Sequence, residues 1–167
     1  MKFEHLIEIN NPADPRIEPL TRSQLWQGLV LRTEAPALFI PHLDSCTIVA
    51  RSTHTVSRRM KFGDLTVNDH AHYTPLEKIR IQVPEQPDIL ATTLEITIEE
   101  PEPERLFVRF AYEDTAPEEG PEAFYHDFRR SAWRESDIDT IRLIREMAAE
   151  GRFGKPEEQA ALPAGTA

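Results

Sequence analysis

The sequence predicts an α+β fold in which a curved seven-stranded antiparallel sheet wraps around one long C-terminal helix. Three observations carry this expectation. An alternating N-terminal segment is followed by a well-capped helix, six strand-like segments then succeed one another directly across residues 43–113, and a long helical pattern lies between Gly120 and Gly151. Strands joined by short connections must lie antiparallel, and a sheet with one apolar face must cover it. The terminal helix is the only predicted element long enough to do so.

The first strand is residues 2–10, where Phe3, His5, Ile7 and Ile9 share one face and Lys2, Glu4 and Glu8 the other. Asn11-Pro12-Ala13-Asp14-Pro15 breaks it. Thr21 and Gln24 form a capping box, in which each side chain satisfies an orphan backbone N–H, and Leu20 and Leu25 flank it as a hydrophobic staple. Leu25, Trp26, Leu29 and Val30 continue with helical period. That helix stops before Pro36, and the proline-bounded run to Pro41 allows one further turn, so one or two short helices separate strands one and two.

Residues 43–51 make a weakly patterned second strand. Residues 57–62 turn at Gly63-Asp64 into 65–73, a hairpin signal. Residues 78–83 alternate cleanly. Residues 89–99 place Leu90, Leu94, Ile96 and Ile98 together with Thr92, and residues 105–113 place Leu106, Val108, Phe110 and Tyr112 opposite Phe107 and Arg109.

Pro121 suits a first helical position and Gly151 a C-terminal stop. Between them Tyr125, Phe128, Ala132, Trp133, Ile141, Ile144, Met147 and Ala148 give a wide apolar face. The acidic stretch 135–139 marks a bend or restart, and Asp137 and Asp139 are expected in solvent. Residues 1–151 read as one domain and 152–167, rich in Pro, Ala and Glu, as a flexible tail.

Composition bounds the partners. The chain has 167 residues and a formal net charge of −10, which argues against nucleic acid or anionic lipid, since both need basic patches. The short basic cluster at Ser57-Arg58-Arg59-Met60-Lys61 reads as the solvated face of a strand. The single cysteine, Cys46, excludes an internal disulfide framework and reads as a buried, inert thiol. No apolar run approaches the length of a membrane span, and the N-terminus lacks the apolar core of a signal sequence. The expected location is cytoplasmic.

Several stretches resemble a known family: FEHLIEIN at 3–10, LTRSQLWQGL at 20–29, MKFGDLTVND at 60–69, ITIEEPEPERLFVRFAYE at 96–113, and the terminal helix. They are similar to the AtaL-like branch of the helix-grip superfamily, abbreviated SRPBCC, which includes START domains, birch-pollen allergens and polyketide cyclase/dehydrase-like proteins. The resemblance covers about residues 1–151 and implies a helix-grip fold with a cavity between sheet and helix. It implies no universal catalytic motif, because members share a cavity rather than a reaction.

Candidate site residues follow from strand parity. VNDHAHYTP at 67–75 suggests a metal site, but the alternation sends His70 and His72 outward and Leu65, Val67, Asp69, Ala71 and Tyr73 inward, so no metal is assigned. An inward Asp69 needs a partner or a proton. It reads either as paired with a neighbour or as a ligand anchor and acid/base, with the inward His5 as the second catalytic candidate. Trp26, Tyr73, Phe110, Tyr112 and Trp133 offer an aromatic lining, and Thr92 and Thr140 add hydroxyl groups. No G-x-G-x-x-G, P-loop, G-x-S-x-G or H-E-x-x-H motif is present, so no cofactor is assigned.

Three functions compete. The leading one is a protein, monomer or homodimer, that encloses a small hydrophobic or aromatic ligand. The second is a lyase- or cyclase-type enzyme on a polyketide-like or aromatic substrate, with Asp69 and His5 as acid/base groups and Tyr73 or Tyr112 as donors. The third is a protein-interaction module with an exposed apolar patch around Phe107.

Overall fold

The structure, a computed structural model, describes residues 1–154. The expected tail beyond them, residues 155–167, lies outside the described residues. Strand β1 (Lys2–Glu8) leads through a loop to helix α1 (Arg22–Glu34) and a single 3-10 turn, Pro36–Leu38. Strands β2 (Ser45–Arg51), β3 (Thr55–Phe62), β4 (Leu65–Thr74), β5 (Lys78–Val83), β6 (Thr92–Glu102) and β7 (Arg105–Asp114) follow in succession. A 3-10 turn at Ala123–Tyr125 then runs into helix α2 (His126–Ala149).

The seven strands form one antiparallel sheet in the order β1-β7-β6-β5-β4-β3-β2. Six of them form a plain meander, as short connections require. The first closes against the last, with His5 opposite Phe110 and Phe3 opposite Tyr112. Gly63, with φ of +61°, makes the tight turn of the β3–β4 hairpin without steric cost. The inward-facing residues of the strands, Val56, Ala71, Ile79, Ile81, Leu94, Ile96, Ile98, Leu106, Val108 and Phe110, join Leu25, Leu29, Ile141, Ile144 and Met147 of the helices in one core.

The α1 cap is built as the sequence dictates. Thr21 Oγ1 accepts from the Gln24 amide at 3.0 Å, and Gln24 Oε1 accepts from the Thr21 amide at 2.9 Å. Its buried stripe then runs Leu25, Gly28–Leu29 and Arg32, a helical spacing of three and four. At Gly28 the two helices come into direct contact, because a Cβ there would stand 2.6 Å from Ile144. Only glycine permits this approach.

Helix α2 departs from expectation in two respects. It begins at His126 rather than Pro121, and it runs through the acidic stretch as one continuous helix, without a restart. The buried stripe comprises His126, Asp137, Thr140, Ile141, Ile144 and Met147, so Tyr125, Phe128 and Ala132 fall off it and are exposed. Phe128 is 66% exposed and packs edge-on with Phe124, itself exposed. The width of the apolar face was therefore overestimated at the N-terminal end. The helix there extends past the sheet's cover.

Smaller corrections follow the same logic. Leu90 precedes β6 and is exposed, and Leu65, at the start of β4 beside the turn, is also exposed. Phe107 is half-buried beneath the Arg105 guanidinium, 5.2 Å from its ring centroid, so it does not centre an open apolar patch. Cys46 is half-buried, and burial pushes its thiol up.

Candidate functional site

Two polar clusters interrupt the core, and they differ in what they hold. The first joins α1 to β3 and β4. Arg58 Nε and Nη2 donate to the two Asp69 oxygens at 2.7 and 2.5 Å, and Nη1 donates to the Thr33 carbonyl at 2.8 Å. Asp69 is 1% exposed. Arg58 is buried as well, not part of a solvated basic face, because its parity in β3 points it inward opposite Asp69. The guanidinium therefore neutralises a buried carboxylate and caps a last-turn carbonyl of α1, where a cation is favoured. Tyr73 extends the cluster by donating to Glu34 at 2.8 Å, and Glu34 also binds Arg51 at 2.5 Å. Trp26 meets Tyr73 edge-on. Asp69 is thus paired with a neighbour, one of the two readings its inward position allows.

The second cluster sits where β1 and β7 meet α2. Asp137 is completely buried, contrary to the expectation of solvent exposure. Tyr112 Oη donates to both of its oxygens at 2.8 Å, and His5 Nε2 lies 2.7 Å from Oδ2. Asp137 stands four residues after Trp133 and four before Ile141, on the inward stripe. That spacing was visible in the sequence but was masked by the acidic company of residues 135–139.

With Nε2 committed to the carboxylate, His5 Nδ1 has no hydrogen-bond partner among the described residues, on a ring 10% exposed. Burial pushes the Asp137 carboxyl above its ordinary value, against the opposing influence of Arg32, His5 and Tyr112. Burial first and the Asp137 charge second push the Tyr112 phenol well up, so it stays a donor.

Aromatic rings frame this cluster. Trp133 stacks on Tyr112 at 4.3 Å and on Phe3 at 6.1 Å, while His5 stacks between Phe3 and Phe110 at 5.4 and 5.6 Å. The inward residues of the edge strand, Phe3, His5 and Ile7, are only half-buried, as is Trp133. Along this flank the inward face of the sheet is only partly covered.

Of the residues expected at a site, His5, Phe110, Tyr112 and Trp133 converge here. Trp26, Tyr73 and Asp69 belong to the other cluster, and His5 and Asp69 bind different partners. Thr140 is buried on α2, one turn from Asp137. Thr92 donates to the Leu90 carbonyl at 3.1 Å and lines a groove of about 470 Å³ with His70, Gln82 and Thr115, away from the aromatic set. Other grooves, of about 600 and 630 Å³, lie along the loop 10–22 and the C-terminal half of α2. His70 and His72 face outward, His70 bonding Ser57 at 2.8 Å. Among the described residues no group of three or more His, Cys, Asp or Glu is placed to hold a metal. No helix among them is long and apolar enough to cross a membrane.

Comparison with known proteins places the family and the fold. A family model described as AtaL, Acetylaranotin biosynthesis cluster protein L, matches residues 7–151. None of the curated proteins matches the sequence. Among solved structures, the Zhui aromatase/cyclase from Streptomyces sp. R1128 superposes with a TM-score of 0.63 at 11% identity, over 89% of this chain and 95% of that one. The di-domain aromatase/cyclase StfQ from the steffimycin biosynthetic pathway gives 0.63 at 15% identity, over 96% of this chain and 52% of that one. Ara h 8.0201 gives 0.58 at 11% identity, covering 87% and 98%. At these identities the likeness is one of fold.

Proposed function

Starting from a chain that belongs to the AtaL family and has a helix-grip fold, we propose that it binds a small planar, largely apolar molecule. The binding surface is the β1–α2 flank. The observation that carries this reading is the His5–Asp137–Tyr112 network inside an aromatic frame. A buried carboxylate holds the imidazole by Nε2 and leaves Nδ1 without a partner among the described residues, on a half-buried ring of the sheet's edge strand. Rings at stacking distance complement a planar ligand, and a few fixed polar atoms orient it. Saturation by such a ligand stabilises the fold by about 2.7 kcal/mol at a hundredfold excess over Kd. A thermal-shift panel of planar ketones and phenols should therefore contain compounds that raise the melting temperature of the wild type but not of His5→Ala. A panel without a single such compound refutes the reading.

A second reading, favoured by the 2.7 Å His5–Asp137 contact, is acid/base catalysis of ring closure and dehydration. Asp137 fixes the tautomer in which Nε2 carries the proton, so the Nδ1 lone pair is the base. It would take a proton from a carbon beside a ketone. The enolate carbon would then bond to a second ketone carbon, and the imidazolium would protonate the alkoxide so formed; a second proton, taken by Nδ1 from the carbon beside it and returned to that hydroxyl, would release water and leave a C=C bond. The solved aromatase/cyclases share the fold, and that likeness makes the reaction class worth testing here. His5→Gln should abolish cyclisation of a poly-β-ketone thioester with the melting temperature preserved. Unchanged turnover would remove His5 from the chemistry.

A further inference from the structure

The N-terminal end of α2 displays an apolar surface that the core does not use. Phe124, Tyr125 and Phe128 are 65%, 57% and 66% exposed. They form one cluster, in which Phe124 meets Tyr125 edge-on at 4.7 Å and Phe128 at 5.9 Å between ring centroids. The rings are held in place rather than loosely attached. Buried between them in sequence, His126 donates through Nε2 to the Pro117 carbonyl at 2.7 Å, which ties the preceding segment to the start of the helix. A lone exposed ring needs no explanation, but three in contact mark a surface that something covers.

The rim of this patch is acidic. Between Arg109 and Arg129 the chain carries Glu113, Asp114, Glu118, Glu119, Glu122 and Asp127, and no Lys or Arg. Asp114 is buried and answered by Arg129, and Arg130 lies 3.1 Å from Asp127 and 3.9 Å from Glu118. Glu119 and Glu122 are exposed and have no cation partner among the described residues. This charge selects the occupant. A second copy would set the same carboxylates against each other, because a two-fold contact joins a patch to itself. An anionic membrane surface would be repelled as well. We propose that this surface docks a basic amphipathic segment of another protein, whose apolar side chains cover Phe124, Tyr125 and Phe128 and whose Lys or Arg side chains meet Glu119 and Glu122. Apolar anchors inside a rim of complementary charge are the usual construction of such a contact. The proposal is independent of what the β1–α2 flank holds.

The test uses the full chain and a labelled amphipathic peptide of leucine and lysine, with fluorescence anisotropy as the readout. Its counterpart of leucine and glutamate is the control. The proteins are wild type, the double variant Phe124→Ser with Phe128→Ser, and the double variant Glu119→Lys with Glu122→Lys. Wild type should bind the lysine peptide roughly tenfold or more tighter than either variant does, and added salt should weaken it. The glutamate peptide should not bind. Because the rings stand outside the core, the serine variant should melt at the wild-type temperature. A marked fall in its melting temperature, or equal binding of the lysine peptide by all three proteins, overturns the proposal. So does failure of the lysine peptide to bind wild type. Dimerisation in sedimentation equilibrium that the serine variant abolishes gives the surface to a second copy instead. Binding to phosphatidylglycerol vesicles that the same variant abolishes gives it to a membrane, and either result overturns the proposal.

Discussion

Asp69→Asn separates a structural tie from a catalytic group. The substitution keeps the size of the side chain but removes the charge that faces Arg58, whose guanidinium stays buried against the Thr33 carbonyl. Breaking one partner of a buried ion pair costs about 3–5 kcal/mol, because the remaining charge is uncompensated. For a domain of this size each kcal/mol lowers the melting temperature by roughly 2–4 °C. The expected fall is therefore roughly 6–20 °C. The double replacement Arg58→Met with Asp69→Leu removes both charges and should recover most of the loss, since an apolar pair is often as stable as a buried ionic one. Differential scanning calorimetry of the three proteins, with bound-ligand titrations alongside, is the assay. If Asp69→Asn melts within about 2 °C of wild type, the pair is not the tie that its geometry describes.

Two more perturbations probe the helix contact and the site. Gly28→Ala drives a methyl into Ile144 and should cost about 1–3 kcal/mol in urea denaturation, whereas Gly28→Ala with Ile144→Val should be milder than the sum of the single changes. Strict additivity would deny the contact. Asp137→Asn tests burial through pH. The wild-type carboxyl is raised when folded, so between its unfolded and folded values the native state holds more protons and stability falls as pH rises. The variant cannot titrate, and its stability relative to wild type should climb from about pH 4 upward, then level off. A flat difference in denaturation midpoints across that range would contradict the assignment.

Much of the fold was legible because its rules are local. Strand parity turned His70 and His72 outward and Asp69 and Ala71 inward, and the Thr21–Gln24 box set the start of α1. The position of β1 beside β7 was not legible, since it depends on how a curled sheet closes rather than on any segment. The site was half-legible. His5 and Tyr112 stood out as polar residues on apolar strand faces. Asp137 was hidden within a run of charges, although its spacing from Trp133 and Ile141 placed it on the buried stripe. Arg32 was overlooked for the same reason, at three residues from Leu29. Composition suggests solvent for such residues, but helical phase decides where they go. Phe128 errs in the opposite direction, an apolar residue left outside because the helix outruns its cover.

The most direct test of the central claim is a chemical-shift map of isotope-labelled protein titrated with 2-naphthamide. Binding at the proposed flank predicts shifts concentrated on the amides of Phe3–Ile7 and Tyr112 and on the Trp133 indole N–H. Shifts confined to the loop around Asn11–Arg22, or no shifts at saturating ligand, would contradict it.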